Sequence, residues 1–391
     1  MVRKRSSLLI PAFKKWSRLQ RTLLGLKPLA PVKRTAAQKA ASAARALQAA
    51  TPAALARKSS PVRKPVAVRK PGVVRRPGGP KTLRPSALGA GDCRHLTFFA
   101  KPDGAAAMIR LSYALYWPKH ADLASLPLMV MLHGCQQTVQ DFAAGSRMNR
   151  LADKEGFAVL YPQQSRTRQS HRCWRWFQPD DRGGCLEADA LALLIRDVLA
   201  QQPILDESRV YVAGLSAGAG MAALLALRHP ETIAAVAMHS GPVVGDALDV
   251  RAGLRTMKQG ATGEVAALVA PFANTDNTIR LPAMVLHGKE DAVVAPRNAQ
   301  QLVEQFLHVN QLTGASPTSV KSLADGKTGA YRRTDYVRGR KTLVRWCELD
   351  HVGHAWSGGD EALKFNTRSG PDASVLIWRF VSAHRRTLAP V

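Results

Sequence analysis

Residues 210–230, VYVAGLSAGAGMAALLALRHP, set a β-rich apolar run directly against a helix-forming one, with GLSAG as the turn between them. A chain that passes from strand to helix in so few residues has little conformational choice. Gly214 and Gly218 remove the side chains that would otherwise hold strand and helix apart, and Ser216 at the tip is pushed into an exposed, strained backbone. Ser216 can be read as a nucleophile or as one small residue among several that let a helix pack closely. The strand before it and the helix after it favour the nucleophile.

The surrounding chain repeats this alternation. Apolar runs short enough to be strands occur at 108–117, 128–133, 157–161, 209–213, 233–238, 283–287 and 343–348. Helical patterns fall at 146–155, 187–201, 217–228, 296–309 and 373–386. Continuous apolar strands alternating with helices predict an α/β fold with a mostly parallel sheet covered on both faces. Functional groups are then expected at the carboxyl ends of the strands, where Ser216 stands.

Charge divides the chain into two parts. The net charge is +28, yet residues 1–90 hold 22 Lys and Arg and no acid, leaving 34 bases against 28 acids in the rest. Residues 1–90 are rich in Ala, Pro, Lys and Arg, a composition that predicts a disordered basic tail. Within it, Leu9, Phe13, Trp16, Leu19 and Leu23 recur at helical spacing among Lys14, Lys15, Arg18 and Arg21. This predicts a short amphipathic helix near 8–25, suited to an anionic apolar surface or to docking on the rest of the chain. VRKP, VRKP and VRRP begin at 62, 68 and 74. That six-residue period fits two turns of polyproline II and reads as a stiff spacer or a phosphate-neutralising stripe. Residues 91–391 form the expected catalytic domain.

No run of about 18 apolar residues suggests a membrane span. The basic N-terminus lacks a long apolar core and a small-residue cleavage site, so no clear signal peptide is present. A cytoplasmic or granule-associated protein is expected. Of the five cysteines, Cys173 and Cys185 are close in sequence, either as a disulfide or as two buried thiols.

A serine nucleophile needs an imidazole to take its proton and a carboxylate to orient that imidazole. Following the strand at 283–287, GKEDAVVAP offers Asp291 as the acid, with Glu290 as its rival. Following 343–348, LDHVGHAWSGG offers His354 in a glycine-flanked loop, with His351 as the alternative. The backbone amide of Ala217 and that of Cys135 or Gln136 are candidate oxyanion donors. Cys135 has no His or Asn at a spacing that supports a thiol nucleophile, and His133 reads as loop-stabilising. Trp356, next to the His354 loop, is a candidate substrate-binding residue, while Trp174 and Trp176 read as structural. No metal constellation and no glycine-rich phosphate loop stands out, so no cofactor is expected.

LHGCQQTVQDFAAGSRMNRLADKEGFAVLYPQQ, CWRWF, GLSAGAGM, HSG at 239–241, HGKEDAVV, GHAWSGG and GPDAS, in this order, resemble the polyhydroxybutyrate depolymerase family of esterases. Acetylxylan and feruloyl esterases are its relatives. The resemblance covers roughly residues 92 to 388 and implies an α/β-hydrolase carboxylesterase with Ser216, Asp291 and His354 as its triad. It implies an ester substrate, polymeric or not, and for many members an extracellular location. DEALKFNTRS, between the last two motifs, departs from the family pattern. Three classes of function follow: an esterase on aliphatic or hydroxyacid esters, a peptidase on the same triad, and a protein that binds a surface or nucleic acid through its basic tail.

Overall fold

The computed structural model describes residues 88–119, 125–178, 183–271, 279–323 and 329–387. The expected helix near 8–25 and the VRKP repeats lie outside the described residues.

Ten strands form one sheet. They are β1 (Asp92–Ala100), β2 (Ile109–Trp117), β3 (Leu126–Leu132), β4 (Ala158–Gln163), β5 (Leu205–Leu215), β6 (Ala235–His239), β7 (Ala283–Gly288), β8 (Ser319–Leu323), β9 (Tyr331–Arg338) and β10 (Lys341–Leu349). Their order across the sheet is β1-β2-β4-β3-β5-β6-β7-β10-β9-β8. The six strands from β4 to β10 are mutually parallel, and antiparallel strands finish both edges. A parallel centre fits the continuous apolar runs read from the sequence, since such strands are buried on both faces.

Seven α-helices cover it: α1 (Val139–Ser146), α2 (Met148–Glu155), α3 (Gly184–Gln201), α4 (Ala217–Arg228), α5 (Val250–Gln259), α6 (Arg297–Val309) and α7 (Ala373–Val381) among the described residues. Alternate residues of the central strands go to opposite faces. Val130, Val212, Val236 and Val285 pack with α3, α4 and α6, whereas Met131, Ala213, Ala237 and Met284 pack with α1, α2 and α7. Two layers of helix thus bury one sheet, and the loops at the carboxyl ends of its parallel strands are left to carry the site.

Local capping fixes two of the helices beside that end. Thr138 and Asp141 form a capping box at the start of α1, and the Asp372 carboxylate accepts from Val375 N at 3.0 Å to start α7. The helix expected over 373–386 therefore begins where the pattern placed it but stops at Val381.

Candidate active site

Ser216 sits at the turn from β5 into α4 with φ 57° and ψ −120°, a left-handed backbone that a residue with a side chain adopts only under strain. The strain is held from both sides. Ser216 N–H donates to His239 O of the adjoining strand at 3.0 Å, and Ser216 O accepts from Ala219 N and Gly220 N inside α4. The glycines permit it: a Cβ on Gly214 would meet the Gly218 carbonyl carbon at 2.3 Å, and one on Gly218 would meet Leu132 O at 2.1 Å.

Two further loops bring their side chains to this serine. His354 Nε2 lies 2.9 Å from Ser216 Oγ, and His354 Nδ1 lies 2.8 Å from Asp291 Oδ2. Asp291 Oδ1 accepts from the backbone N–H groups of Val293 and Val294, both at 2.9 Å, so the loop after β7 fixes the carboxylate before the imidazole reaches it. Burial alone would raise the Asp291 carboxyl. The charge and hydrogen bond of His354, with His287 and the Val294 amide behind them, bring it down to about 2. A carboxylate that stays ionised holds the imidazole in the tautomer that can accept the serine proton.

The rival residues pair with one another. His351 Nδ1 stands 3.0 Å from Glu290 Oε1, with side chains 87% and 60% exposed, away from Ser216. Asp291 and His354, by contrast, are buried together.

The turn after β3 lies beside the serine, since a Cβ on Gly134 would be 3.6 Å from Ser216 Cβ. Here one sequence expectation is corrected. Gln136 N–H donates to His171 O at 2.6 Å and is not available to an oxyanion, which leaves Cys135 as the candidate donor from this loop. Ala217 supplies the other candidate as the first residue of α4, where an N–H has no partner within its own helix. For Cys173 and Cys185, left open as a mutual disulfide or two buried thiols, the structure shows neither arrangement. Cys173 is bonded to Cys135, 38 residues away, while Cys185 is buried on α3 outside that disulfide. Proximity in sequence does not decide the pairing, because a strand end and a distant loop meet at this turn.

Trp356 is also corrected as a substrate contact. It is fully buried, stacked on His239 with an edge contact to Phe142, and its Nε1–H donates to Ser374 Oγ at 3.1 Å. Its backbone pairs with Phe365 and Thr367, so the segment 360–369 that departs from the family pattern braces Trp356 from behind. Trp174 and Trp176 are buried, as the sequence suggested.

Two residues near the triad were not singled out by sequence. His287, the strand-end residue of HGKED, donates Nε2–H to Val294 O at 2.9 Å and lies 3.4 Å from Asp291 Oδ2. His239 is pushed down to about 3 by burial and by the nearby His287 and His354. Both sit at the carboxyl ends of parallel strands, a positional signal visible once the strands are assigned.

Residues 111–325 match the esterase PHB depolymerase family. The chain is 33% identical over 216 residues to poly(3-hydroxyalkanoate) depolymerase C of Paucimonas lemoignei, a match covering 52% of each protein. It is 29% identical over 204 residues to feruloyl esterase B of Thermothelomyces thermophilus, covering 50% of this chain and 69% of that one. The chain therefore spans about half the length of the depolymerase it matches. Among solved structures it is similar to the acetyl xylan esterase from Aspergillus awamori, with TM-score 0.60 and 19% identity over 75% of this chain and 99% of that one. That likeness is one of fold, and it bears out the expected α/β-hydrolase architecture.

Proposed function

Because this chain belongs to the esterase PHB depolymerase family, we propose that it is a serine carboxylesterase acting on aliphatic or hydroxyacid esters. The observation that carries the reading is the relay from Ser216 Oγ through His354 to Asp291, at 2.9 and 2.8 Å.

In this reading His354 Nε2 takes the Ser216 proton as Oγ attacks the ester carbonyl carbon, and the carbonyl π electrons move onto oxygen. The Cys135 and Ala217 amides hold the resulting oxyanion. Collapse breaks the ester C–O bond, and His354 returns its proton to the leaving alkoxide, releasing the alcohol and an acyl-Ser216. Water, deprotonated by the same imidazole, then attacks the acyl carbon. Ser216 leaves with the proton, and the free acid is released. Asp291 stays ionised throughout and stabilises the imidazolium.

Residues 91–391 would carry this chemistry, and residues 1–90 a separate contact with an anionic surface, such as a membrane or polyester granule, or with nucleic acid. The test is turnover by the purified protein on short-chain nitrophenyl esters, hydroxybutyrate oligomers, acetylated xylan fragments and feruloylated sugars, with mass-spectrometric mapping of a fluorophosphonate label. Hydrolysis of one ester class with the label on Ser216 is expected. No turnover on any of them, or a label elsewhere, would overturn the reading.

A further inference from the structure

The last residue of β6 is bonded to both of the loops that bring Ser216 and His354 together. The backbone carbonyl of His239 accepts from Ser216 N–H at 3.0 Å and so holds the turn that presents the serine. Its ring meets the loop that carries His354. Nε2 lies 3.3 Å from Ser357 N and 3.4 Å from Ser357 Oγ, and the ring stacks on Trp356 with centroids 5.2 Å apart and planes at 24°. Trp356 and Ser357 follow His354 by two and three residues. The preceding side of that loop is tied elsewhere, since Val352 O accepts from Glu290 N at 3.1 Å, next to Asp291.

We infer that His239 is a positioning residue for ester hydrolysis: its carbonyl and its ring together set the distance between Ser216 Oγ and His354 Nε2. The inference rests on the esterase reading. Proton transfer from serine to imidazole requires the two atoms to stay within hydrogen-bond reach, and a misplacement of about 1 Å costs on the order of 100-fold in rate. The His354 loop therefore has two anchors with separate effects. The bond from Glu290 to Val352 keeps the imidazole beside Asp291, on the loop of the acid itself, whereas the serine stands on another loop, and His239 is bonded to that one as well.

The surroundings of the ring suit it to that task. His239 is fully buried, so it acts on the reaction without touching substrate. The Ser357 N–H can only donate, so Nε2 presents a lone pair and the proton is on Nδ1, 3.1 Å from Ser240 Oγ. Ser240 N–H in turn donates to Leu286 O of β7 at 2.9 Å, which ties this side of the ring to the centre of the sheet. Burial, with His287 and His354 nearby, pushes the imidazole down to about 3. It stays neutral and keeps the same hydrogen bonds while His354 takes up a proton and returns it.

Two substitutions keep the backbone carbonyl and vary what the ring supplies. His239→Gln places an amide oxygen near the former Nε2, where the Ser357 N–H finds an acceptor, whereas His239→Phe keeps a ring on Trp356 and offers no acceptor. The Gln variant is expected to stay within a few-fold of wild-type kcat, and the Phe variant to fall about 10- to 100-fold below it with KM unchanged. The rate of fluorophosphonate labelling, which needs an activated Ser216, should fall with kcat in the Phe variant. The far-downfield proton resonance of the bond between His354 and Asp291 should persist, because the Val352 anchor is untouched. A general loss of structure would remove that resonance too. Equal kcat in the two variants, or loss of the resonance together with activity in the Phe variant, overturns the inference. If either variant does not fold, 15N spectra of the histidines in the wild-type protein decide instead: His239 protonated on Nδ1 supports it, and on Nε2 overturns it. A wild-type protein that neither hydrolyses esters nor is labelled at Ser216 removes the esterase reading and this inference with it. An active, labelled wild type with indistinguishable variants removes this inference alone.

Discussion

The backbone of Gly218 occupies the space a side chain on Gly214 would need, since a β-carbon on Gly214 would lie 2.3 Å from it, and a β-carbon on Gly218 would in turn meet Leu132 O at 2.1 Å. The contact is backbone to backbone, so no flexible side chain can yield. Gly214→Ala and Gly218→Ala are each expected to destabilise the protein by roughly 2–4 kcal/mol, as overpacking of a rigid contact does. Urea unfolding measures this, and an unchanged midpoint in both variants would count against the contact.

Ser216 combines a proposed chemical role with a backbone that favours glycine. Ser216→Ala keeps the strain and removes the hydroxyl, whereas Ser216→Gly removes both. Both are expected to lose several powers of ten in kcat. Ser216→Gly should be the more stable of the two by about 1 kcal/mol, because glycine adopts positive φ without steric penalty. Paired activity and unfolding measurements check this, and a Gly variant no more stable than Ala would show the turn to be unstrained.

His354 and His351 are three residues apart and lie in opposite environments. His354→Ala and Asp291→Asn are expected to lower kcat by about 10³-fold or more, and the double variant hardly further, since they act as one unit with Ser216. His351→Ala, which removes an exposed imidazole paired with Glu290, should change kcat by less than about threefold. Steady-state kinetics on one soluble ester is sufficient, and an inactive His351 variant would reverse the assignment.

Several imidazoles are buried in the neutral form, and this sets the response to acid. Burial, reinforced by neighbouring positive charge, holds His239 near 3 and His384 near 4, and burial holds His133 near 4. The unfolded chain takes up these protons as pH falls through about 6.5, whereas the folded chain does so only near 3 to 4. Folding stability from this source is thus intact above about pH 6.5 and declines between there and 4, by up to about 1.4 kcal/mol per pH unit for each group. Asp291 adds to the loss at lower pH, because its carboxyl is depressed and its contribution disappears between about pH 4 and 2. Urea unfolding at pH 7, 6 and 5 should show the decline, and His384→Phe should reduce the slope by about one proton.

The parts legible in sequence are those where one local pattern settles one structure. GLSAG between VYVA and an Ala-rich helix is such a case, and so are Asp291 and His354, each on a loop directly after an apolar strand. Strands β1, β8 and β9 were not read; SVKSL is an edge strand and YRRTDYVR its antiparallel neighbour, both with charged exposed positions and no continuous apolar run. The Cys135–Cys173 bond and the engagement of Gln136 by His171 depend on a loop far along the chain folding back onto the β3 turn. Trp356 was placed by its neighbours in sequence, yet the direction of its side chain is set by Phe142 and His239, which no local pattern reveals.

Residues 1–90, with their 22 positive charges, contain none of the proposed catalytic residues. Deleting them is expected to leave kcat on a soluble ester unchanged within about twofold and to abolish binding to anionic vesicles, which in the intact chain should weaken as salt rises. Co-sedimentation with vesicles, with Trp16→Ala beside a charge reversal of Arg69 and Lys70, shows which segment is responsible. Equal binding by the shortened protein would make those residues a spacer.

The relay unites positions 216, 291 and 354, which reach one another only when β5, β6, β7 and β10 have taken adjacent places in the sheet. Parallel neighbours of this kind must close long crossovers before any pairing rewards them, and such contacts form late. During refolding, helical signal and hydrophobic collapse would precede the meeting of these three loops. Regained turnover would then time the closing event of assembly, and a chain stalled earlier would look folded by its secondary structure while remaining silent as a catalyst.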